Sequence, residues 1–229
     1  MPNHNQSTRP CMTKRSVNSC LTLWAQNSQR KKPMTDFLLI RHTTTDDVDD
    51  RLAGRIDTPL NEIGIAKARQ LADVLCRSDI SAIYTSPMQR TIQTAEALAV
   101  ACGLAVQPDE AFIQVNYGDW ESVPYEELQE IPAWRFFITT PGGQVPGGEH
   151  IDDVIQRVAH RLEILSAKHN EDDVVVIVTH GSIIRFTLAH YLGLPVGKSN
   201  RLKVLPGSVN GLRLGGREPI VFKLNHQYA

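Results

Sequence analysis

Long apolar runs are missing from this sequence: VVVIV at 174–178 is among the longest. A bilayer-spanning helix needs about 20 apolar residues, so no membrane span is expected. Nothing resembles the apolar core of a secretory signal either, and a cytoplasmic protein is the expectation. Cysteine is scarce. Cys11, Cys20, Cys76 and Cys102 have neither the spacing of a metal site nor the density of a disulfide scaffold. Cys76 and Cys102 fall in helical patterns and are expected as buried reduced thiols in a reducing compartment. Residues 1–33 contain no acid but six cations, Arg9, Lys14, Arg15, Arg30, Lys31 and Lys32, and they show no sustained apolar period. They are read as a disordered basic extension, from an upstream start with translation beginning at Met34, or as a targeting segment.

Without that extension the chain has 18 basic and 25 acidic residues, a formal net charge of −7. This excludes the basic footprint of a nucleic-acid binder. With 229 residues, 41% of them apolar, the chain can bury one sizeable core. No internal repeat is present.

From Met34 onward the pattern is regular. Short β-branched runs at 37–41, 80–84 and 173–179 alternate with helical periods at 62–77, 88–102, 149–169 and 182–192. That alternation predicts an α/β fold with a mostly parallel central sheet and covering helices. Residues 117–150 break the rhythm. Pro124, Pro132, Pro141, Pro146 and PGGQVPGGE predict a lid-like insertion with a short helix around PYEELQEI. Near the end, RLKVLP, SVNGLRL and PIVFKL read as short strands.

In such a sheet, ligands bind beyond the carboxyl ends of the strands. Arg41 and His42 end the first run, and Thr179 and His180 end the run DVVVIVTH, so two histidines are expected at one sheet edge. In YTSPMQRTIQTA, Ser86 is the expected N-cap and Pro87 the first helical residue, which puts Arg90 in the first turn, beside an anion-attracting terminus. Arg41, His42, Arg90 and His180 together suit a phosphoryl group. A neutral imidazole can accept it covalently, and nearby arginines keep that ring unprotonated while binding phosphate oxygens at two points. No metal or cofactor is required. The acidic run DDVDD at 46–50 lacks the glycine and distal glutamate of a calcium loop.

RHTTTD, LAGRIDTPLNEIG, YTSPMQRTIQTA, NYGDWES, PGGE and VTHGSIIR stand in the order and approximate spacing of the histidine phosphatase superfamily. The chain from Met34 to its end resembles that phosphoglycerate-mutase-like group, and most of all its compact phosphatases, such as α-ribazole phosphatase. The resemblance implies a sheet flanked by helices on both faces and a phosphohistidine mechanism. In it His42 would be the nucleophile, with Arg41, Arg90 and His180 around the phosphate. The partner implied is a small-molecule phosphate ester, with no nucleic acid and no membrane.

Two departures stand out. Thr43 and Thr44 fill slots that the family gives to Gly and Glu, and the Thr43 hydroxyl is expected to donate to phosphate. Gln114 fills the slot of the family's usual proton-donor glutamate. An amide cannot deliver a proton, and general acid catalysis contributes roughly 100- to 10,000-fold in rate. Glu110, extended, would lie too far away. Asp119 and Glu121 follow a glycine turn, where Glu121 is expected to bond loop backbone, and Glu149 is expected in a helix cap. Trp120, Tyr125, Trp134, Phe136 and Phe137 are expected either to line the lid or to anchor its packing. Three readings follow: a metal-independent phosphomonoesterase, a phosphate-binding pseudoenzyme, and a phosphoglycerate mutase, the last disfavoured by the short insertion.

Overall fold

A computed structural model describes residues 34–46, 51–76, 79–139 and 145–228. The expected extension at 1–33 and most of the acidic run at 46–50 lie outside the described residues. Six strands form one sheet: β1 (Thr35–Arg41), β2 (Ile80–Thr85), β3 (Val106–Pro108), β4 (Val174–Thr179), β5 (Val209–Leu214) and β6 (Ile220–His226). Their order is β3-β2-β4-β1-β5-β6. The first four are parallel, while β5 and β6 pair antiparallel at one side.

The central strands are apolar along their middles, Phe37 to Ile40 on β1 and Val174 to Val178 on β4, because both of their faces are covered. On β1, Phe37 and Leu39 join one core while Leu38 and Ile40 join the other; on β4, Val175 and Ile177 alternate with Val176 and Val178 in the same way. One face packs under α1 (Glu62–Leu75) and α2 (Gln89–Cys102), through Leu71, Ala72, Leu75, Ala95, Leu98 and Ala99. The other carries α5 (Ile151–Lys168) and α6 (Gly181–Tyr191). In α5 the buried Ile151, Val154, Ile155, Val158, Leu162 and Leu165 recur at helical spacing and form a single stripe. The mostly parallel sheet with helices on both faces is therefore present.

Local expectations fare less evenly. The insertion holds two helices, α3 (Tyr125–Glu130) and α4 (Pro132–Thr139), not one. Its start is stitched to the segment after β1: Ser122 N–H donates to Leu52 O at 2.9 Å, and Leu52 N–H to Val123 O at 3.1 Å. RLKVLP is not a strand. Its start closes a 3-10 turn at Val196–Arg201, and its end is held by side chains: Val204 O accepts from Arg41, and Leu205 N–H donates to Asn225 Oδ1. Cys76 and Cys102 are joined by a disulfide, contrary to the expectation of free thiols. The helices α1 and α2 lie side by side and end at the same level, leaving these Cα atoms 5.1 Å apart. The compositional argument for a reducing compartment falls with that expectation.

The N-terminus of α1 supports the segment after β1. Asn61 caps the helix by accepting from Gly64 N–H at 2.8 Å, while its own N–H donates to Thr44 O at 3.1 Å. Helix and loop approach so closely that a Cβ on Gly64 would stand 2.1 Å from Thr44 O. Gly64→Ala must therefore push the two apart, at a cost of about 1–3 kcal/mol. The expected result is a Tm lower by roughly 2–12 °C, and an unchanged Tm in thermal unfolding would refute this close packing.

Candidate active site

The parallel pairing of β1 with β4 brings the two histidines together. Arg41 stands opposite Thr179, and His42 N–H extends the ladder by donating to Thr179 O at 2.9 Å. His180 follows directly, so the ring centroids of His42 and His180 lie 5.4 Å apart. From the other side, β2 ends in register with β4: Ser86 N–H donates to Val178 O at 2.9 Å. Three strand ends thus meet at one point.

His42 is buried, and its Nδ1 lies 2.8 Å from Thr43 O. A carbonyl only accepts, so Nδ1 holds the proton and Nε2 presents a lone pair. The ring is held well below the usual imidazole pKa, by burial first and then by the Arg90 and Arg41 charges, against a smaller upward pull from Thr43 O. His180 is fully buried. Burial, then Arg90, His42, Arg41 and Arg157, lower its pKa in the same direction. Its Nε2 is 2.9 Å from Ser86 Oγ, and its Nδ1 has no hydrogen-bond partner among the described residues.

Both arginines are braced by backbone. Arg41 donates to Val204 O at 2.8 Å and lies over Gly181, where a Cβ would come 3.2 Å from its Nε. Arg90, the second residue of α2, donates to Ile56 O at 2.7 Å and Gly54 O at 2.8 Å. The loop supplying those carbonyls is itself fixed, by Gln89 N–H on Asp57 and Leu60 N–H on Gln93. The guanidiniums are oriented before any ligand arrives, as charge stabilisation in phosphoryl transfer requires.

Beyond these residues opens a cavity of about 540 Å³. Arg41, His42, Arg90 and Gln114 line it; His180 stands behind His42 against Ser86. Thr43 does not face it. Its hydroxyl donates to Gly64 O at 2.8 Å and the residue is fully buried, so the expected phosphate contact is corrected: the hydroxyl-bearing residue of this stretch at the cavity is Thr45. Ser86 is likewise not the N-cap of α2. The helix begins at Gln89 after Met88, and the Ser86 hydroxyl serves His180.

Gln114 Oε1 accepts from Val115 N–H at 3.0 Å, which leaves its NH2 as the donor at the cavity wall. Its segment is clamped from α5: Arg157 donates to Ala111 O at 2.6 Å and to Ile113 O at 2.8 Å, and Arg55 donates to Gln114 O at 3.0 Å. Glu149 joins the two arginines, 2.9 Å from Arg55 and 3.5 Å from Arg157, and accepts from Asn116 N–H. It is a tie between insertion and loop; the cap of α5 is His150. Glu121 accepts from Arg55 N–H and Tyr117 N–H, the backbone role expected of it. Asp119 and Glu110 are exposed. Among the described residues, no carboxylate lines the cavity.

The insertion supplies the apolar wall. Tyr125, Trp134 and Phe137 line the cavity with Tyr117 and Phe186, while Trp120 is a buried anchor at 5.6 Å from both Trp134 and Phe137. Phe136 is 58% exposed and does not line the cavity. Residues that motif reading passed over are Thr45, Arg51, Ser182, Arg185, Ser199 and Asn200. The signal for Arg185 was present, since it stands four residues after Gly181 on the same helix face.

The depressed imidazole pKa has a direct consequence. The His42 ring resonances should stay in the neutral form as pH falls through 6.5, and Arg41→Gln should move their midpoint upward by removing a like charge. Because the unfolded ring binds its proton more readily, stability from this group is present above the unfolded value and is lost as pH drops below 6.5. A histidine NMR titration showing an ordinary midpoint, unmoved by Arg41→Gln, would contradict this electrostatic account.

Residues 37–227 match the model of the histidine phosphatase superfamily, branch 1. Phosphoserine phosphatase 1 of Hydrogenobacter thermophilus is 30% identical over 196 residues, covering 84% of this chain and 92% of its own. A probable phosphoglycerate mutase of Proteus mirabilis is 31% identical over 183 residues, covering 77% and 84%. A mycobacterial glucosyl-3-phosphoglycerate phosphatase superimposes with a TM-score of 0.77 at 26% identity, covering 85% of this chain and 100% of its own. The fold is thus shared with proteins of known structure, and the chain belongs to the histidine phosphatase superfamily as a phosphatase.

Proposed function

We propose that this phosphatase is a metal-independent phosphomonoesterase that passes the phosphoryl group of a small phosphorylated metabolite to His42 and then to water. One observation carries the reading: His42 Nδ1 is bound to Thr43 O, so the Nε2 lone pair is available beside two braced arginines. In the first step Nε2 forms a bond to phosphorus, the ester P–O bond breaks, and its electron pair leaves on the alcohol oxygen. Water then attacks phosphorus, the P–N bond breaks, and inorganic phosphate departs as the pair returns to the ring. Arg41 and Arg90 hold the phosphoryl oxygens through both steps. A bound dianion raises the proton affinity of His180, whose Nδ1 has no hydrogen-bond partner among the described residues.

The names of the phosphoserine and glucosyl-3-phosphoglycerate phosphatases support a small phosphorylated substrate. A mutase would return the phosphoryl group to a second hydroxyl, and release of inorganic phosphate separates the two. Gln114 supports the competing reading of a pseudoenzyme, because its NH2 can hydrogen-bond the leaving oxygen without protonating it. If the chain turns over, the same amide restricts it to esters whose alcohol leaves unaided.

His42→Ala is expected to abolish phosphate release with an unchanged circular dichroism spectrum. Residual turnover above a few per cent would point to another nucleophile. Gln114→Glu is expected to accelerate alkyl phosphates about tenfold or more, and p-nitrophenyl phosphate little, since only the alkoxide needs the proton. Alkyl esters hydrolysed no faster would mean that position 114 does not serve the leaving group.

A further inference from the structure

The helix α6 leaves β4 at Gly181, against the Arg41 guanidinium, and its first turns wall the cavity with Gly181, Ser182, Arg185 and Phe186. Gly181 and Arg185 share a helix face about 6 Å apart along its axis. The Arg185 side chain is held in place. It donates to Ser182 Oγ at 3.3 Å, and that oxygen lies 2.7 Å from the Tyr117 hydroxyl. Burial pushes the Tyr117 phenol up to about 12, so it remains a neutral hydroxyl and offers Arg185 no counter-charge.

Arg185 differs from five other described arginines in what faces it. Arg55, Arg135, Arg157, Arg161 and Arg213 each have a carboxylate partner. Arg185 has none among the described residues, and no described carboxylate lines the cavity it faces. A half-buried guanidinium without an acid, one helical turn beyond the phosphate-binding residues, matches an anion brought by the ligand. Ser199 and Asn200, from the 3-10 turn packed on α6, add neutral polar groups to the same cavity.

We propose that Arg185 is a specificity-determining residue that receives a second anionic group, a carboxylate or a second phosphate, carried on a short chain by a phosphomonoester whose phosphoryl group lies at His42. The proposal rests on the phosphomonoesterase reading and adds to it the class of ester. Arg41 and Arg90 take the transferred group; Arg185 takes the group that stays behind. The aromatic wall contacts the carbon body between them.

The test uses matched pairs that differ in the second anion alone: phosphoserine against phosphoethanolamine for a carboxylate, and propanediol bisphosphate against propyl phosphate for a phosphate. Wild type is expected to favour the anionic member of at least one pair, and the pair that shows it names the anion. In Arg185→Gln the ratio of kcat/KM within that pair should fall about 10- to 100-fold, the scale of a charge-assisted hydrogen bond, and Arg185→Lys should keep part of it. A wild-type ratio near one, or a ratio unmoved while both members decline together, would overturn the proposal. If wild type releases phosphate from neither pair, release from p-nitrophenyl phosphate decides the phosphomonoesterase reading separately, and the subsite is read from calorimetric Kd values for the same pairs. A preference for the anionic member that Arg185→Gln removes sustains it; no preference, or one that survives the substitution, refutes it.

Discussion

His42 N–H donates to Thr179 O one step past the end of β1, and the geometry of the site follows from that ladder bond. It holds two neighbouring parallel strands level at their carboxyl ends. Consecutive residues on each strand, Arg41 with His42 and Thr179 with His180, then occupy one small volume without any long side chain reaching for it. The β2 end, brought level by Ser86 N–H on Val178 O, adds the hydroxyl that holds His180. A register shift of one residue would turn His42 to the other face of the sheet and separate the pair.

Concentrating two imidazoles and two guanidiniums in a buried volume raises the cost of every positive charge there. The imidazoles answer by staying neutral, since they can lose a proton at accessible pH and arginine cannot. The arginines are tolerated because backbone carbonyls from positions 54, 56 and 204 accept from them. Neutral imidazoles and fixed cations are thus two results of one electrostatic constraint. Under the proposed function a phosphate dianion relieves that constraint.

Much of this was legible in the sequence, for physical reasons. Strand ends are marked where apolar runs stop, so Arg41, His42 and His180 could be placed at one edge without knowing the fold in detail. Arg90 followed from the start of a helical period, although the start itself fell later than Ser86 suggested. What could not be read depends on contacts between distant segments. The Thr43 hydroxyl turns to Gly64 O, 21 residues on, because α1 lies against the loop; the neighbouring Thr45 reaches the cavity instead. The Cys76–Cys102 bond required knowing that α1 and α2 end side by side. In the insertion, proline and glycine hide the helical period, so the separate roles of Trp120, Trp134 and Phe137 emerged only from packing.

The central claim is that Thr43 O holds the proton on His42 Nδ1 and leaves Nε2 to take the phosphoryl group. Phosphorus NMR of protein mixed with a phosphate donor and denatured in alkali, combined with peptide mapping, reads both the residue and the ring nitrogen that carry phosphate. The account predicts phosphate on Nε2 of His42. Phosphate on Nδ1, phosphate on another residue, or no phosphoprotein at all would contradict it.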